Sequence, residues 1–415
     1  MNKHICVREA YDWIYIGNKD YQLTRYEADE LIKYLSDRED DFPCGITKKE
    51  YNRLKLINYV GIISIENVTI EIIPKISLSN NKKKDKEILL QMLSKCSKLP
   101  FDIDNSINTN LAEYDLIELV AKLFVQKLQR EINKGIYREY ISKEENLNFI
   151  KGKLLLSSHI KRNHVNKVKA YCSYDEYSEN NFLNLVFKTA CNVILRKIND
   201  DEIKDNVKRV ISCLEDVDLI YLDKNKLLKY EFNRQNNRFK EAYELAKLIL
   251  LNTSMESSLG EDNAFSMLFE MSTLYEEYIG NIIEEIWNNS YRKTKLQDDS
   301  KYLVRNLYSN RGNFNLKADV VLSDEKEDFE IVIDTKWKSA ERKIEATDMY
   351  QMYAYVTRYE KARSCILLYP YHNEDYYRDW GLYNEVDKKI AVRVVRLESV
   401  DDTIEDLKSI LNKFS

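Results

Sequence analysis

The spacing of hydrophobic and polar residues changes twice along the chain and divides it into three segments. Residues 1–95 carry short alternating apolar runs, which are typical of strands. Residues 96–255 carry apolar residues three and four positions apart, which are typical of helices. Residues 256–415 mix the two patterns. We therefore predict a multidomain α/β protein with a β-rich N-terminal domain, a mostly helical middle region and a layered α/β C-terminal domain.

The N-terminal segment predicts a capped helix and a strand hairpin. Thr24, with Glu27 three residues later, forms a capping box that begins a short helix. The run VGIISIENVTIEIIPKI alternates and breaks at residues 66–67, so it predicts a hairpin whose second strand ends at Pro74 or lies at a sheet edge. The polar run SNNKKKDKE at 79–87 is interpreted as a linker or loop.

Helices and a basic stretch make up the middle region. Three runs with helical spacing cover 111–135, 181–198 and 239–252. Residues 151–169 hold six Lys and Arg residues and no acids. This stretch is either a long exposed basic loop or a surface that docks phosphate groups or a partner.

The C-terminal segment alternates helix and strand. Its predicted order is one long helix over 264–287, a strand, a hairpin over 314–339, a helix over 346–359 and a strand over 364–370, then a last strand and helix. The hairpin, FNLKADVVLSDEKEDFEIVIDTKWKS, contains charges that core strands normally exclude. Those charges need either a structural partner or a chemical role.

The hairpin brings three charged residues to one patch. Asp334 and Lys336 are two apart on one strand and therefore share a face. If the acidic middle turns the chain, Asp319 falls opposite or diagonal to Asp334, at about 5–8 Å between side-chain bases. Two carboxylates repel, so a divalent cation is the natural counter-charge, and oxygen ligands suit Mg²⁺. The alternative is an internal Asp–Lys salt bridge at a strand end, which leaves the second acid unexplained.

Residues on neighbouring elements extend this patch. Gln351 and Tyr355 are four apart on the following helix and share its face, where they either support the patch or pack in the core. On the preceding helix, Glu276 or Glu277 adds a third carboxylate. Residues 287–317 hold seven Lys and Arg residues against two acids, with aromatic residues between them. A basic, aromatic approach to an acidic metal site is typical of an enzyme that cleaves a polyanion.

Composition and charge narrow the class of protein. The chain has 415 residues and a net charge of −5, which argues against coating of nucleic acid through charge alone. The N-terminal residues lack an apolar signal-peptide core and no window is long enough for a membrane span, so we expect neither. The seven cysteines are dispersed, and the four histidines form no zinc pattern. We therefore expect a cytoplasmic protein with reduced thiols.

Together these residues resemble the PD-(D/E)xK nuclease superfamily, whose pattern is an acid, then acid-x-Lys on a paired strand, then Q-x-x-x-Y on a helix. Longer stretches resemble the McrC family, the nuclease subunits of McrBC methylation-dependent restriction systems. Those stretches are VGIISIENVTIEIIPKI, GIYREYISKEENLNFIKGKLLLSSHI, CSYDEYSENNFLNLVFKTA, MSTLYEEYI and IVIDTKWK, and together they span most of the chain. The resemblance implies a partner-binding domain over 1–95 and a restriction-endonuclease-like domain with a mixed central sheet over 256–415.

The resemblance also implies roles for the residues of the patch. The set implied is Asp319, Asp334 and Glu276 as metal ligands, Lys336 as the catalytic lysine, and Gln351 and Tyr355 as the supporting helix motif. Glu277 is the alternative to Glu276. Ala318 stands where the superfamily usually has Pro before the first acid, but that position is not a ligand.

A partner and a reaction follow from the same resemblance. McrC-like proteins act with a McrB-like AAA+ GTPase that recognises methylated DNA, and this sequence has no G-x-x-x-x-G-K-[ST] stretch of its own. We therefore expect a DNA endonuclease subunit that hydrolyses phosphodiesters with Mg²⁺ and stimulates that partner. The alternatives are a non-cleaving activator of an AAA+ ring and a stand-alone repair or defence nuclease. The latter often carries a four-cysteine cluster, which the dispersed cysteines here do not provide.

Overall fold

The structure, a computed structural model, describes most of the chain. Outside the described residues lie 1–2, 66–67, 76–80, 100–113, 166–167, 221, 254–263, 327–328, 339–343, 373–375, 384, 386 and 415. The chain divides into two compact units, of which the first joins Met1–Tyr114 with Met267–Ser415 and the second is Asp115–Ser266. The three functional domains predicted with boundaries at 95 and 255 stay a prediction.

Both units contain strands and helices. The strands are β1 (Lys3–Arg8), β2 (Ile14–Tyr15), β3 (Thr47–Glu50), β4 (Arg53–Leu56), β5 (Tyr59–Ile65), β6 (Val68–Ile73), β7 (Glu139–Leu147), β8 (Lys153–Leu154), β9 (Ala170–Ser178), β10 (Phe265–Glu270), β11 (Arg292–Arg305), β12 (Gly312–Asp324), β13 (Phe329–Thr335), β14 (Ala362–Pro370), β15 (Arg378–Gly381) and β16 (Lys389–Val395). The helices are α1 (Arg25–Ser36), α2 (Lys82–Lys95), α3 (Leu116–Ile132), α4 (Leu156–Asn163), α5 (Phe182–Lys197), α6 (Asp201–Cys213), α7 (Lys224–Leu228), α8 (Lys240–Leu251), α9 (Met271–Trp287), α10 (Ala346–Arg358) and α11 (Val400–Phe414). This order confirms the predicted multidomain α/β class. Within the described ranges, no helix combines the length and the apolar character needed to cross a membrane.

A four-stranded sheet in the order β1-β6-β5-β10 lies in the first unit. β6 runs parallel to β1 and antiparallel to β5, so the predicted hairpin is confirmed, although its turn at 66–67 lies outside the described residues. β6 ends at Ile73 before Pro74, as predicted, but it lies inside the sheet and not at an edge. α1 begins with the predicted capping box between Thr24 and Glu27.

The prediction of a loop over 79–87 is wrong from Lys82 onward, because α2 begins there. Lys86 is buried, and its Nζ pairs with Glu71 Oε1 at 2.5 Å. Glu71 lies on β6, so the charged run is held against the sheet by ion pairing. A sequence pattern that counts polar residues as solvated cannot anticipate such a pair.

The prediction of one helix over 264–287 is wrong at its N-terminal end. Phe265–Glu270 form β10 beside β5, and α9 begins only at Met271. Gly61 of β5 permits this approach, because its φ is +127° and a Cβ there would lie 2.0 Å from Met267 O. The run AFSMLF suits either a strand or a helix, so pairing with β5 decides its structure.

A six-stranded sheet in the order β11-β12-β13-β14-β16-β15 forms the C-terminal part of the first unit. β12 pairs antiparallel with β11 and β13, whereas β14 runs parallel to both β13 and β16. The predicted mixed central sheet is therefore confirmed. α10 packs on this sheet through a buried cluster that includes Val332, Met352 and Leu367. α9 contacts β11, β12 and β13. Both α9 and α10 therefore contact the hairpin formed by β12 and β13.

The second unit combines packed helices with a small sheet. α3 and α5 each contact both α6 and α8, and buried aromatic rings fill the core, with Phe187 centred 6.3 Å from Phe124 and 5.8 Å from Phe239. The sheet has the order β7-β9-β8. The stretch 151–169 contains β8 and α4, so the loop interpretation is wrong for those residues. Its docking role stays a prediction.

Candidate active site

The pairing of β12 with β13 brings Asp319 and Asp334 together, just beyond its last residue pair. The two strands pair antiparallel with Val320 opposite Ile333, so the two acids stand at the next position along each strand. Thr335 holds Asp319 from the neighbouring strand, since its backbone N and its Oγ1 donate to Asp319 Oδ2 at 2.6 and 2.9 Å. β13 therefore supplies one acid and fixes the other.

Lys336 lies beside Asp334 and adds a positive charge to the patch. Its Nζ lies 2.6 Å from Asp334 Oδ2 and donates to Gln351 Oε1 at 3.0 Å. Its backbone N donates to Leu368 O at 3.0 Å, so β14 holds the main chain here. Burial opposes the charge on Lys336, but the neighbouring carboxylates, Asp334 first, outweigh burial and raise the pKa of Lys336. The side chain is therefore an ammonium at neutral pH.

α10 supplies the side chains that orient this pair. Gln351 Nε2 donates to Asp334 Oδ1 at 3.1 Å and to Tyr355 OH at 2.9 Å. Tyr355 OH in turn donates to Lys317 O at 2.5 Å. Tyr355 is also buried in the cluster beneath α10. It therefore packs in the core and supports Gln351 at the same time.

Glu276 of α9 lies at this patch, whereas Glu277 does not. The carboxyl group of Glu276 lies within hydrogen-bonding reach of Asp319. Glu277 instead pairs with Lys98, with 2.8 Å between Oε2 and Nζ. The structure thus brings together all the site residues that the sequence predicts, with Glu276 and not Glu277 as the third acid. They are Glu276, Asp319, Asp334, Lys336, Gln351 and Tyr355.

Burial and mutual repulsion raise the pKa values of two of these acids. The pKa of Glu276 rises to about 8, first because burial disfavours its charge and then because Asp319 is close. The pKa of Asp334 rises to about 7 for the same two reasons, and Lys336 offsets only part of the rise. Glu276 Oε1 is buried without a hydrogen-bond partner among the described residues, and buried Asp334 Oδ2 faces the ammonium of Lys336 at 2.6 Å. The patch therefore carries more carboxyl groups than the ammonium of Lys336 can neutralise.

These oxygens allow a test of whether the patch fits a divalent cation. Among the described residues, no three His, Cys, Asp or Glu side chains already form a metal-binding group. Mg²⁺ does not require one, because it is commonly held by one or two carboxylates, with water and substrate phosphate completing its shell. Asp319 and Asp334 are two such carboxylates, and Glu276 is a further oxygen donor beside them. A cation would also relieve the repulsion that raises the pKa values of Glu276 and Asp334. The residues present fit Mg²⁺.

We expect the metal-free protein to lose stability as the pH rises from about 4 to about 8. The pKa values of Glu276 and Asp334 in the fold, about 8 and about 7, lie above their ordinary values. The unfolded chain therefore releases these protons at lower pH than the folded chain does, which favours unfolding. Glu276→Gln removes one of these titrations, so at pH 8 its Tm should exceed that of wild type by about 2–4 °C.

Thermal denaturation in a chelating buffer at pH 5 and at pH 8 measures this effect. The difference in Tm between Glu276→Gln and wild type should be smaller at pH 5, where Glu276 is protonated in the folded protein. Glu277→Gln is the matched control, because it changes the adjacent carboxyl group outside the patch. An equal fall in Tm for wild type and Glu276→Gln would show that the pKa of Glu276 is not raised.

Trp337 and Glu9 support the patch from outside it. Trp337 is buried, its ring lies 5.4 Å from that of Tyr275, and its Nε1 donates to Glu9 Oε2 at 3.1 Å. Glu9 is fully buried, and Lys75 Nζ lies 3.6 Å from its Oε1. The residue after Lys336 is therefore anchored to the segment that follows β1. Sequence reasoning missed both residues, since no spacing links positions so far apart.

Comparisons with known proteins give a family and two similar structures. A family model described as McrBC 5-methylcytosine restriction system component matches residues 54–370. A comparison with curated proteins gives no match. Among solved structures, the chain is similar to a refined half-complex from a tetradecameric assembly of Thermococcus gammatolerans McrB AAA+ hexamers with bound McrC. The TM-score is 0.73 and the identity 18%, over 98% of this chain and 100% of that chain.

A second similar structure is the cryo-EM structure of the Thermococcus gammatolerans McrBC complex. Its TM-score is 0.52 and its identity 21%, over 69% of this chain and 89% of that chain. At these identities the two structures show a shared fold. The family match carries further, because residues 54–370 are more than half of the chain and include every residue of the patch.

Proposed function

The chain belongs to the McrBC 5-methylcytosine restriction system component family, and on that basis we propose that it is the DNA-cleaving subunit of a methylation-dependent restriction system. The observation that carries the proposal is the patch on the paired strands. There Asp319, Asp334 and Lys336 lie together. Thr335 holds Asp319, and Gln351, supported by Tyr355, holds Asp334 and Lys336. Two carboxylates with an adjacent ammonium are the groups that Mg²⁺-dependent hydrolysis of a phosphodiester uses.

In this proposal each residue of the patch has one task. Asp319 and Asp334 hold Mg²⁺, and Glu276 is the third donor. When bound, Mg²⁺ supplies Lewis-acid stabilisation of the charge that develops on the phosphodiester. Lys336, fixed between Asp334 and Gln351, orients the attacking water and places its ammonium near the same developing charge. Because the protein fixes these groups before the substrate arrives, little reorganisation is needed during the reaction.

We propose that the partner is an AAA+ GTPase of the McrB type. One similar structure contains McrB AAA+ hexamers with bound McrC, and this sequence lacks a P-loop with which to hydrolyse nucleotide itself. In this division of labour the partner recognises methylated DNA and hydrolyses GTP. Residues 1–95 stimulate that hydrolysis, and the patch on β12 and β13 cuts the DNA.

The proposal predicts that the wild-type protein cleaves methylated DNA only when the McrB-type partner, GTP and Mg²⁺ are all present. The measurement is cleavage of a long duplex that carries 5-methylcytosine, followed on a gel, with the same unmethylated duplex as control. Omission of any one component should leave cleavage below detection. The partner's GTP hydrolysis, measured in parallel, should rise when the protein is added.

Other outcomes of this experiment identify the competing functions. Stimulated GTP hydrolysis without cleavage of any DNA would show a non-cleaving activator of the ring. Cleavage without partner or nucleotide would show a stand-alone nuclease. Full cleavage in EDTA would contradict the role given to Mg²⁺.

A further inference from the structure

β11 and β12 extend beyond the central sheet as a two-stranded ribbon, which we define as residues 302–315. Tyr302 pairs with Asn315 and Arg305 pairs with Gly312, so the two strands remain in register to the end. Every residue of the ribbon is exposed, whereas Ala318, three positions further along β12, is fully buried. The ribbon is therefore open to solvent along its length and contacts α10 at its base.

The tip of the ribbon has a defined shape. Asn306 organises it, because its backbone N donates to Arg311 O at 2.8 Å and its Oδ1 accepts from the backbone N of Tyr308 and of Ser309, both at 2.9 Å. At the base of the ribbon, Arg358 Nε donates to Tyr302 O at 2.7 Å. The ribbon is thus fixed at both ends and presents its side chains in a set arrangement.

Several large apolar side chains on this ribbon are exposed to solvent. Leu307 is 86% exposed, Phe314 is 74% exposed and Tyr308 is fully exposed. An isolated two-stranded ribbon gains little stability in water, and apolar residues on both its faces do not help it fold. Exposed apolar clusters of this kind mark surfaces that bind something else.

The charge of the ribbon indicates what it binds. Within residues 302–315 the basic residues are Arg305 and Arg311, and there is no acid. Both arginines are exposed near the tip and form no ion pair within the part of the chain that the structure describes. Unpaired arginines beside apolar side chains suit a DNA duplex, because arginine binds phosphates and apolar side chains wedge against bases in the minor groove.

β12 joins the ribbon directly to the candidate active site. Asn313 on the ribbon lies six residues before Asp319 on the same strand, which corresponds to about 20 Å. This length matches about six base pairs of B-form duplex. We propose that the ribbon binds the DNA duplex at about six or more base pairs from the scissile phosphate, with Arg305 and Arg311 on phosphates and Leu307 and Tyr308 against the minor groove. The inference rests on the proposed cleavage of DNA.

The test uses the full chain assembled with its McrB-type partner, GTP and Mg²⁺, with Lys336→Met in every sample so that the duplex is not cut. Affinity for a methylated duplex is measured across a salt series with the ribbon intact and with Arg305→Ala and Arg311→Ala. The double variant should bind about 10–100-fold more weakly, and the slope of log K against log salt should fall by about 2. Arg209→Ala with Lys408→Ala is the matched control, because it removes two exposed positive charges elsewhere.

A second variant tests the apolar contact and the distance. Tyr308→Ala should leave the salt slope unchanged but shorten the hydroxyl-radical footprint by about six base pairs on one side of the cut. Thermal denaturation of each variant establishes that it folds. Unchanged affinity, slope and footprint in both ribbon variants would overturn the proposal.

The same measurements separate this proposal from the proposed function. If DNA binding is intact but the variants change the oligomeric state or the partner's GTP hydrolysis, the occupant is a protein and the DNA assignment is wrong. A wild type that binds DNA through the ribbon but does not cleave it with Mg²⁺ contradicts only the nuclease assignment. A wild type that cleaves, with ribbon variants that bind equally well, contradicts only the ribbon assignment. A wild type that binds no duplex overturns both.

Discussion

Asp334→Ala and Lys336→Met should each slow DNA cleavage by the assembled complex by at least about 10²–10³-fold. Lys336→Met removes the ammonium that faces the developing charge on the phosphodiester. Asp334→Ala removes a proposed metal ligand together with the ion-pair partner of Lys336. Each change is confined to one side chain at the end of β13, so the sheet and α10 keep their core.

Lys326→Met is the matched control for this pair. Lys326 is an exposed lysine beside the turn of the same hairpin, so its loss removes the same charge without touching the patch. DNA cleavage by Lys326→Met should equal DNA cleavage by wild type. All three variants should still stimulate the partner's GTP hydrolysis, which shows that each one folds and assembles. Wild-type cleavage by Asp334→Ala would rule out this hairpin as the active site.

Trp337→Ala should lower the free energy of unfolding by about 3–5 kcal/mol. The truncation opens a cavity next to Tyr275, whose ring lies 5.4 Å from that of Trp337. It also removes the indole that donates to Glu9 Oε2 at 3.1 Å. Glu9 is fully buried, and a buried carboxylate that loses a donor contributes about 1–3 kcal/mol of that total.

Two further variants separate the cavity from the hydrogen bond. Trp337→Phe keeps much of the ring volume but donates no hydrogen bond, so it should cost only about 1–3 kcal/mol. Trp380→Ala truncates a tryptophan that is 37% exposed on the edge strand β15, and it should cost less than Trp337→Ala. Guanidinium unfolding followed by circular dichroism gives all three values. No cost for Trp337→Phe would mean that the Glu9 hydrogen bond contributes nothing, and equal costs for Trp337→Ala and Trp380→Ala would contradict the cavity.

The acids and the lysine on the hairpin could be predicted from sequence because their geometry is local. Strand periodicity and hairpin pairing fix Asp319, Asp334 and Lys336 relative to one another without knowledge of any other element. The choice between Glu276 and Glu277 could not be made in the same way. Adjacent helix residues differ by about 100° in direction, so only the packing of α9 decides which one faces β12.

Long-range pairing accounts for the parts of the fold that sequence patterns missed. The lysine-rich start of α2 is predicted as a solvated loop unless the partner of Lys86 on β6 is known. AFSMLF is predicted as helix unless the free edge of β5 is known. The contact between Trp337 and Glu9 joins residues that are 328 positions apart and leaves no local pattern. In each case the deciding interaction comes from a residue that spacing rules do not consider.

β10 ends at Glu270 and α9 begins at Met271, so no loop separates the edge of the N-terminal sheet from the helix that carries Glu276. The two parts of the first unit are therefore not interchangeable modules. A chimera that takes residues 1–95 from another family member also takes that member's β5. The pairing of β10 with this β5, and through β10 the position of Glu276, would then change. A chimera that exchanges residues 1–95 between family members should fold only when β5 and β10 come from the same parent.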